Sequence, residues 1–128
     1  MTLIDTSAWI EFLRDTGSDA CRRVDELLKE GFATCDPVRM EVLAGARGER
    51  HLRELRGLLG RGATVPVGPT HYDEAALLYR ICRREGQTVR KLIDCLIAAA
   101  AIDADLPVLH NDSDFEVLAR HTALRVAE

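Results

Sequence analysis

The chain has 128 residues, of which 47% are hydrophobic and 30% are charged, and its formal net charge is −4. This composition is typical of one folded domain over residues 1–128 and excludes a charged, disordered tail. The longest apolar run, Cys95–Ile102, is too short to cross a bilayer, and the N-terminus lacks a basic signal region, so we expect a cytoplasmic protein without membrane contact.

The first half of the chain alternates between strand and helix patterns. The predicted elements, in order, are a strand at 1–4, a helix that begins near Trp9, a helix at 18–30, a strand at 32–35, a helix from 36 to about 45, and a helix at 49–59. Ser18 is placed to cap the second helix, which Gly31 ends. The pair Asp36-Pro37 predicts a helix start, with Asp36 as N-cap and Pro37 at the first helical position.

The second half continues this alternation. Its predicted elements are a strand at 63–67, a helix that Thr70 caps and Gly86 ends, a helix at 89–104, a strand at 107–110, a helix at 113–120, and a strand at 124–126. Pro66 cannot donate a backbone hydrogen bond, so the third strand should lie near a sheet edge. Together the elements predict an α/β fold with a mainly parallel sheet of about five strands and helices on both faces.

Cysteine and histidine spacing argues against a zinc site. The four cysteines include no C-x-x-C pair, and the four histidines form no H-E-x-x-H pattern. The cysteines lie mostly among apolar neighbours, which favours buried thiols. Any metal would therefore have to be held by oxygen ligands.

Asp94 lies inside Leu92–Ala98, a segment so apolar that most of it should be buried. Asp is seldom buried without a partner. A helical pair with Arg90, one turn earlier, is the structural alternative, although base before acid is the weaker order for such a pair. A metal-binding or catalytic role explains Asp94 better.

Glu41 belongs to the helix that starts at Asp36 and shares a face with Val38, Ala44 and Gly45. The small neighbours leave room beside its carboxylate. Its local sequence alone nevertheless favours an ordinary solvated residue, since exposed Glu is the norm.

Other acids directly follow predicted strands. Asp5 comes after the first strand, where it either caps the next helix or serves a site. Asp112 and Asp114 come after the strand at 107–110. Ser113 and Glu116 have capping-box spacing, which would start the helix without Asp112, whereas the alternative makes Asp112 the N-cap and Asp114 a favourable charge at the helix dipole.

Because Asp5 and Asp112 both follow parallel strands, they should meet at the same edge of the sheet. Two carboxylates about 4 Å apart repel each other by roughly 4 kcal/mol at an effective dielectric of 20, so a cluster of acids requires a cation. Carboxylates and water are ligands that suit Mg²⁺ or Mn²⁺, ions that serve phosphate chemistry by activating water. The sequence thus predicts an oxygen-ligated divalent metal site.

Four spaced motifs together resemble a known family. They are Leu-Ile-Asp-Thr-Ser-Ala-Trp at 3–9, Met-Glu-Val-Leu-Ala-Gly at 40–45 after a Cys-Asp-Pro turn, Asp-Cys-Leu-Ile-Ala-Ala at 94–99, and Asn-Asp-Ser-Asp-Phe at 111–115. In this order they resemble PIN-domain ribonucleases, and among these the VapC toxins of bacterial VapBC toxin–antitoxin pairs. The resemblance implies a three-layer α/β/α fold, a Mg²⁺- or Mn²⁺-dependent endoribonuclease site with one or two ions, a homodimer, and a VapB-like antitoxin that blocks the site.

The resemblance also implies roles for individual residues. It assigns an acidic quartet that binds metal and performs catalysis, with a fifth acid near the metals: Asp5, Glu41, Asp94 and Asp112, and then Asp114. Thr6 or Ser7 would help to hold Asp5 or a metal-bound water. Thr88 and Arg90 match a loop that precedes the third acidic motif.

Basic residues around this loop are candidates for contacts with RNA phosphates: Arg83, Arg84, Arg90 and Lys91. An ordinary solvated helix end is the alternative for them. The acidic net charge does not exclude RNA binding, because removing the five proposed site acids changes it from −4 to +1.

Two other functions fit parts of the pattern. A PIN-like protein could act mainly as a binding partner in a regulatory complex on DNA, although the retained acids argue against this. A metal-dependent DNA nuclease is the other alternative, disfavoured because the chain lacks room for the extra clamp or arch that such enzymes use.

Overall fold

The structure is a computed structural model that describes all residues, 1–128. Its elements, in chain order, are β1 (Leu3–Ile4), α1 (Thr6–Leu13), α2 (Asp19–Glu30), β2 (Ala33–Thr34), α3 (Asp36–Ala44), α4 (Glu49–Leu59), β3 (Ala63–Thr64), α5 (Pro69–Arg84), α6 (Leu92–Asp103), β4 (Val108–Leu109) and α7 (Ser113–His121). The predicted alternation of strands and helices is confirmed.

The sheet has four parallel strands in the order β3-β2-β1-β4. The predicted fifth strand is reduced to one parallel bridge between Val126 and Val108. From β1 the chain adds β2 and β3 on one side, and then crosses over to place β4 on the other side. The carboxyl ends of β1 and β4 therefore flank a switch point, which is where open α/β sheets form their ligand crevices.

The helices form two packed groups. Helix α1 contacts α2 and α3, and α3 contacts α4, whereas α5, α6 and α7 all contact one another. Right-handed crossovers that run in opposite directions across the sheet place such groups on opposite faces. Helix α6, which is buried on nearly all sides, fills the centre of the second group.

Several predicted boundaries were wrong by a few residues. Helix α3 begins at Asp36 itself, because Cys35 already has the extended backbone of an N-cap. Helix α5 begins at Pro69, and Thr70 is not its cap; instead His71 Nδ1 accepts a hydrogen bond from the Gly68 backbone N–H at 2.9 Å. The apolar pattern placed the start of α6 at Val89, three residues too early.

The prediction of buried cysteines is confirmed: all four thiols are free and buried. None of the seven helices is both long and apolar enough to cross a bilayer. The third strand lies at a sheet edge, as Pro66 predicted.

One close approach depends on a glycine. Trp9 and Phe32, both buried, pack edge to face with ring centroids 5.4 Å apart. Gly62 lies against the Phe32 ring, and a Cβ at this position would stand 2.7 Å from Phe32 Cδ2. Since Trp9 holds the ring in place, the ring cannot move aside without disturbing the core.

We therefore expect Gly62→Ala to lower the free energy of unfolding by about 1–3 kcal/mol, the usual range for overpacking. The matched control is Gly57→Ala in α4, where a Cβ meets nothing within 4 Å. That substitution should stabilise the protein by about 0.5–1 kcal/mol, because Gly is a poor helix residue. Urea denaturation of both variants measures the two effects, and equal stability of the two variants would contradict this description of the core.

Candidate metal centre

Asp5 stands at the end of β1 and caps α1. Its Oδ2 accepts hydrogen bonds from the Ser7 backbone N–H at 2.9 Å and from Ser7 Oγ at 2.6 Å. Ser7 Oγ in turn accepts a hydrogen bond from the Asn111 backbone N–H at 2.8 Å, which ties the segment after β1 to the segment after β4. The cap uses only one carboxylate oxygen, since Oδ1 is buried and has no hydrogen-bond partner.

Asp94 lies in the first turn of α6 and is 2% exposed. Burial raises the pKa of Asp94 from 3.8 to about 8, and the negative charge of Asp5 adds to this effect. The predicted alternative, a pair with Arg90, is absent. Instead Lys91 Nζ lies 3.7 Å from Asp94 Oδ2.

Asp112 is the N-cap of α7, and its carboxylate accepts a hydrogen bond from the Asp114 backbone N–H at 2.9 Å. The alternative that makes Asp112 the N-cap is therefore confirmed, and the capping box of Ser113 and Glu116 is absent. The physical reason is that the Glu116 side chain pairs with His110 Nε2 at 3.0 Å instead of reaching back to the helix start.

The carboxylates of Asp94, Asp112 and Asp114 come together. One carboxylate oxygen from each of the three lies within 4.8 Å of the other two. Asp5 lies close enough for its charge to raise the pKa of Asp94. Burial also raises the pKa of Asp5 itself, against the lowering effect of the Ser7 hydrogen bonds. We call these four acids the acid cluster: Asp5, Asp94, Asp112 and Asp114.

Glu41 joins the edge of this cluster from α3. Thr6 Oγ1 donates a hydrogen bond to Glu41 Oε1 at 2.7 Å, and the Glu41 charge contributes to raising the pKa of Asp5. Glu41 is partly buried and is not a member of the close group of three carboxylates. Thr6 thus positions Glu41, whereas Ser7 positions Asp5.

Two of the predicted phosphate-binding residues, Arg90 and Lys91, form ion pairs with acids of the cluster. Arg90 contacts Asp112 Oδ1 through Nη2 at 2.7 Å and Asp114 Oδ1 through Nε at 3.1 Å. Lys91 Nζ contacts Asp112 Oδ2 at 2.7 Å. Sequence reasoning missed this role of Lys91, for which its spacing of three residues from Asp94 was the available signal.

Arg90 and Lys91 explain why the pKa of Asp112 differs from that of Asp94. Burial alone would raise the pKa of Asp112, but hydrogen bonds from Lys91 and the Asp114 backbone, together with the charges of Lys91 and Arg90, hold it below 3.8. The same hydrogen bond to Asp112 raises the pKa of Lys91. Asp112 is thus a fixed anion, and Asp94 is the acid whose charge is least favourable.

The other two predicted basic residues lie at the end of α5. The Arg83 guanidinium stands 5.6 Å from the centre of the Tyr79 ring, a distance that allows a cation–π contact. Arg84 is exposed in the last turn of the helix. Neither side chain contacts the acid cluster.

The donor set of the cluster fits a hard divalent cation. Asp5 Oδ1, Asp94 Oδ2 and Asp114 Oδ2 are buried and have no hydrogen-bond partner. Buried polar atoms are normally satisfied, and the cost of leaving carboxylate oxygens unpaired is high. A cation among these oxygens would satisfy them, and an all-oxygen donor set is the one that Mg²⁺ and Mn²⁺ prefer.

Comparison with known proteins gives the family. A match to the PIN domain covers residues 2–121. The chain belongs to the PIN-domain family. Ribonuclease VapC11 of Mycobacterium tuberculosis and VapC ribonuclease Mb1587 of Mycobacterium bovis are each 44% identical to this PIN domain, over 99% of this chain and 98% of theirs. The resemblance found in the motifs is confirmed.

Solved structures agree on the fold. The DNA-bound VapBC of Salmonella typhimurium includes a chain that matches this PIN domain with a TM-score of 0.77 and 21% identity, over 99% of this chain and 98% of that one. Mycobacterium tuberculosis VapC20, a sarcin-ricin loop cleaving toxin, matches with a TM-score of 0.70 and 16% identity, over 98% of this chain and 99% of that one. The three-layer α/β/α architecture is therefore that of the family.

Asp94→Asn should stabilise the protein in EDTA at alkaline pH. The folded-state pKa of about 8 lies above the ordinary value of 3.8. The folded protein therefore keeps a proton on Asp94 across this interval, and the associated stability is lost as the pH rises through 8. We expect the variant to melt at least about 3 °C above the wild type at pH 8, and the difference to shrink towards pH 4.

Thermal melts by circular dichroism in EDTA at several pH values measure this difference. Asp73→Asn, which removes an exposed acid on α5, is the control and should leave the melting temperature unchanged. An Asp94→Asn variant that melts below the wild type at pH 8 would contradict the proposed repulsion.

Proposed function

We propose that this protein is a metal-dependent endoribonuclease that serves as the toxin of a VapBC-type toxin–antitoxin pair. One observation carries the proposal: the acid cluster has three buried carboxylate oxygens without hydrogen-bond partners, at the carboxyl edge of a parallel sheet. The two relatives at 44% identity are both named as VapC ribonucleases, which supports the same conclusion. Residues 1–128 act as one PIN domain in this proposal.

The proposed cofactor is Mg²⁺ or Mn²⁺, as one or two ions. Asp5, Asp94, Asp112 and Asp114 would hold it, with Glu41 at the edge of the cluster. A divalent ion bound there supplies positive charge to phosphodiester oxygens and lowers the pKa of a water molecule.

The protein's own residues prepare this centre. Ser7 fixes one oxygen of Asp5 and leaves the other, Oδ1, buried and without a hydrogen-bond partner. Thr6 holds Glu41 by its Oε1, so the second oxygen of that carboxylate is free to accept a proton or orient water. Asp112 remains ionised because Lys91 and Arg90 contact it. A carboxylate set fixed in this way needs little reorganisation during the reaction.

The predicted phosphate contacts remain part of the proposal. Arg90 has a side chain that is 66% exposed, and it contacts Asp112 and Asp114 of the acid cluster. An arginine this exposed would be able to contact an RNA phosphate beside the acids. Lys91, Arg83 and Arg84 lie on the same connection between α5 and α6, or next to it, and extend a basic surface along the backbone of a bound RNA.

The partners follow from the same family membership. We expect an RNA substrate, a VapB-like antitoxin that covers the site, a homodimer and a location in the cytoplasm. Structures of relatives described as VapBC complexes, including one from Rickettsia felis bound to a promoter DNA fragment, support the antitoxin as partner.

The test is cleavage of total cellular RNA by the purified protein, freed of any antitoxin, with Mg²⁺ or Mn²⁺ and with EDTA. We expect cleavage only with a divalent ion, and a loss of at least about 100-fold for Asp5→Asn and for Asp94→Asn, because each removes a metal ligand and a charge that acts in the transition state. Gel electrophoresis with end mapping measures the rates and the positions of the cuts.

Asp73→Asn is again the matched control, because it removes one exposed carboxylate outside the cluster. Retained cleavage by either cluster variant would remove that carboxylate from the mechanism. Absence of cleavage by the folded wild type under all conditions would favour the binding-partner alternative, and preference for DNA over RNA would favour the DNA nuclease.

A further inference from the structure

A cavity adjoins the acid cluster between α1, α3 and the segment that leads into α4. It has a volume of about 340 Å³, and ten residues line it. Thr6 and Glu41, which form the 2.7 Å hydrogen bond at the edge of the cluster, belong to this lining. The cavity and the candidate metal centre are therefore parts of one continuous surface.

One side of this cavity is apolar. Ile10 and Leu13, on successive turns of α1, are each 39% exposed, although large aliphatic side chains are usually buried. Val42 of α3 and Leu55 of α4 are buried and complete the apolar lining. This arrangement offers a flat ring or another apolar group a surface to pack against.

The remaining lining carries positive charge that the protein does not use. Arg14 and Arg47 are both exposed, and neither side chain takes part in an ion pair or a hydrogen bond. Arg47 contributes only its backbone N–H, which donates to His51 Nδ1 at 3.0 Å. By contrast, Arg90 and Lys91 on the other side of the cluster are both paired with acids.

We propose that this cavity binds one nucleotide of the RNA, next to the phosphodiester that is cleaved. The base packs against Ile10, Leu13 and Leu55, and the guanidinium groups of Arg14 and Arg47 contact the phosphates on either side. The inference rests on the proposed ribonuclease function and extends it by naming a substrate subsite.

Position and charge favour a nucleotide of the RNA. The volume of about 340 Å³ lies within the range of small-ligand pockets, about 300–1,000 Å³. Single-stranded RNA presents an apolar base and an anionic phosphate at each step, and proteins bind it by packing the bases and pairing the phosphates with arginine. The cavity has both kinds of surface, and it opens beside the acids that face the reacting phosphate.

The test is titration of the wild-type protein with the four common nucleoside 5′-monophosphates, observed by NMR of isoleucine and leucine methyl groups. We expect the Ile10 and Leu13 methyl signals to shift, with half-saturation at or below about 10 mM, the range of a weak single-nucleotide contact. Leu77, an exposed leucine on α5 outside the cavity, serves as the internal control and should not shift. Ribose 5-phosphate, which has no base, should shift these methyl signals far less.

Variants separate a phosphate contact from a merely structural effect. Arg14→Gln and Arg47→Gln should each weaken mononucleotide binding about tenfold, because each removes a charge-assisted hydrogen bond to phosphate. With RNA as substrate, each should also reduce the slope of log(kcat/KM) against log[salt] by about 0.7, the value for one phosphate of a single strand. Arg53→Gln, an exposed arginine of α4 outside the cavity, is the matched control.

Each outcome decides between the possible ligands. The subsite would be overturned if the Ile10 and Leu13 methyl signals did not shift at high nucleotide concentration. It would also be overturned if both arginine variants bound the nucleotide as well as the wild type does, even if the wild type cleaves RNA. Methyl shifts with an acidic amphipathic peptide, and none with any nucleotide, would assign the cavity to a protein partner alone and also overturn the subsite. Nucleotide binding without any RNA cleavage would uphold the subsite and contradict the proposed ribonuclease function, so the two failures are distinguishable.

Discussion

The mutual repulsion of buried carboxylates is the constraint on which the rest of this structure depends. Asp5, Asp94 and Asp114 are each about 2% exposed, and such burial of acids in a small domain is costly unless positive charge compensates it. The protein brings these acids together through its topology, because β1 and β4 are neighbours and end at the same edge of the sheet. The fold thus concentrates negative charge at one edge of the sheet, and the apolar core offers no positive charge to compensate it.

Three features of the protein compensate part of this negative charge. Helices α1, α6 and α7 all begin at the cluster, so their positive dipole ends lie close to its acids. Arg90 and Lys91 form ion pairs with Asp112, and they also reach Asp114 and Asp94, respectively. Ser7 binds one oxygen of Asp5. Three buried oxygens still have no hydrogen-bond partner, and a divalent cation is the group whose charge and ligand preference match them.

Local sequence placed the strands and helices, although it misplaced the starts of α5 and α6 by a few residues. The acids that follow strands could be placed, because residues after parallel strands must meet at one edge. The choice between Asp112 and Ser113 as N-cap of α7 stayed open, because the contact of Glu116 with His110 that removes the capping box could not be read from spacing alone. Arg90 contacts Asp112, which lies 22 residues later in the chain, and a cavity lies beside Glu41. Both features depend on how distant helices pack, so no sequence pattern could indicate them.

The most direct test of the central claim is calorimetric titration of Mn²⁺ into the metal-free wild type and into Asp94→Asn. The cluster as described predicts saturable binding of one or two ions per chain, with release of protons at pH 7 because Asp94 must ionise, and loss of that binding in the variant. Undiminished binding by Asp94→Asn, or no binding by the wild type, would contradict the claim that these carboxylates form a metal centre.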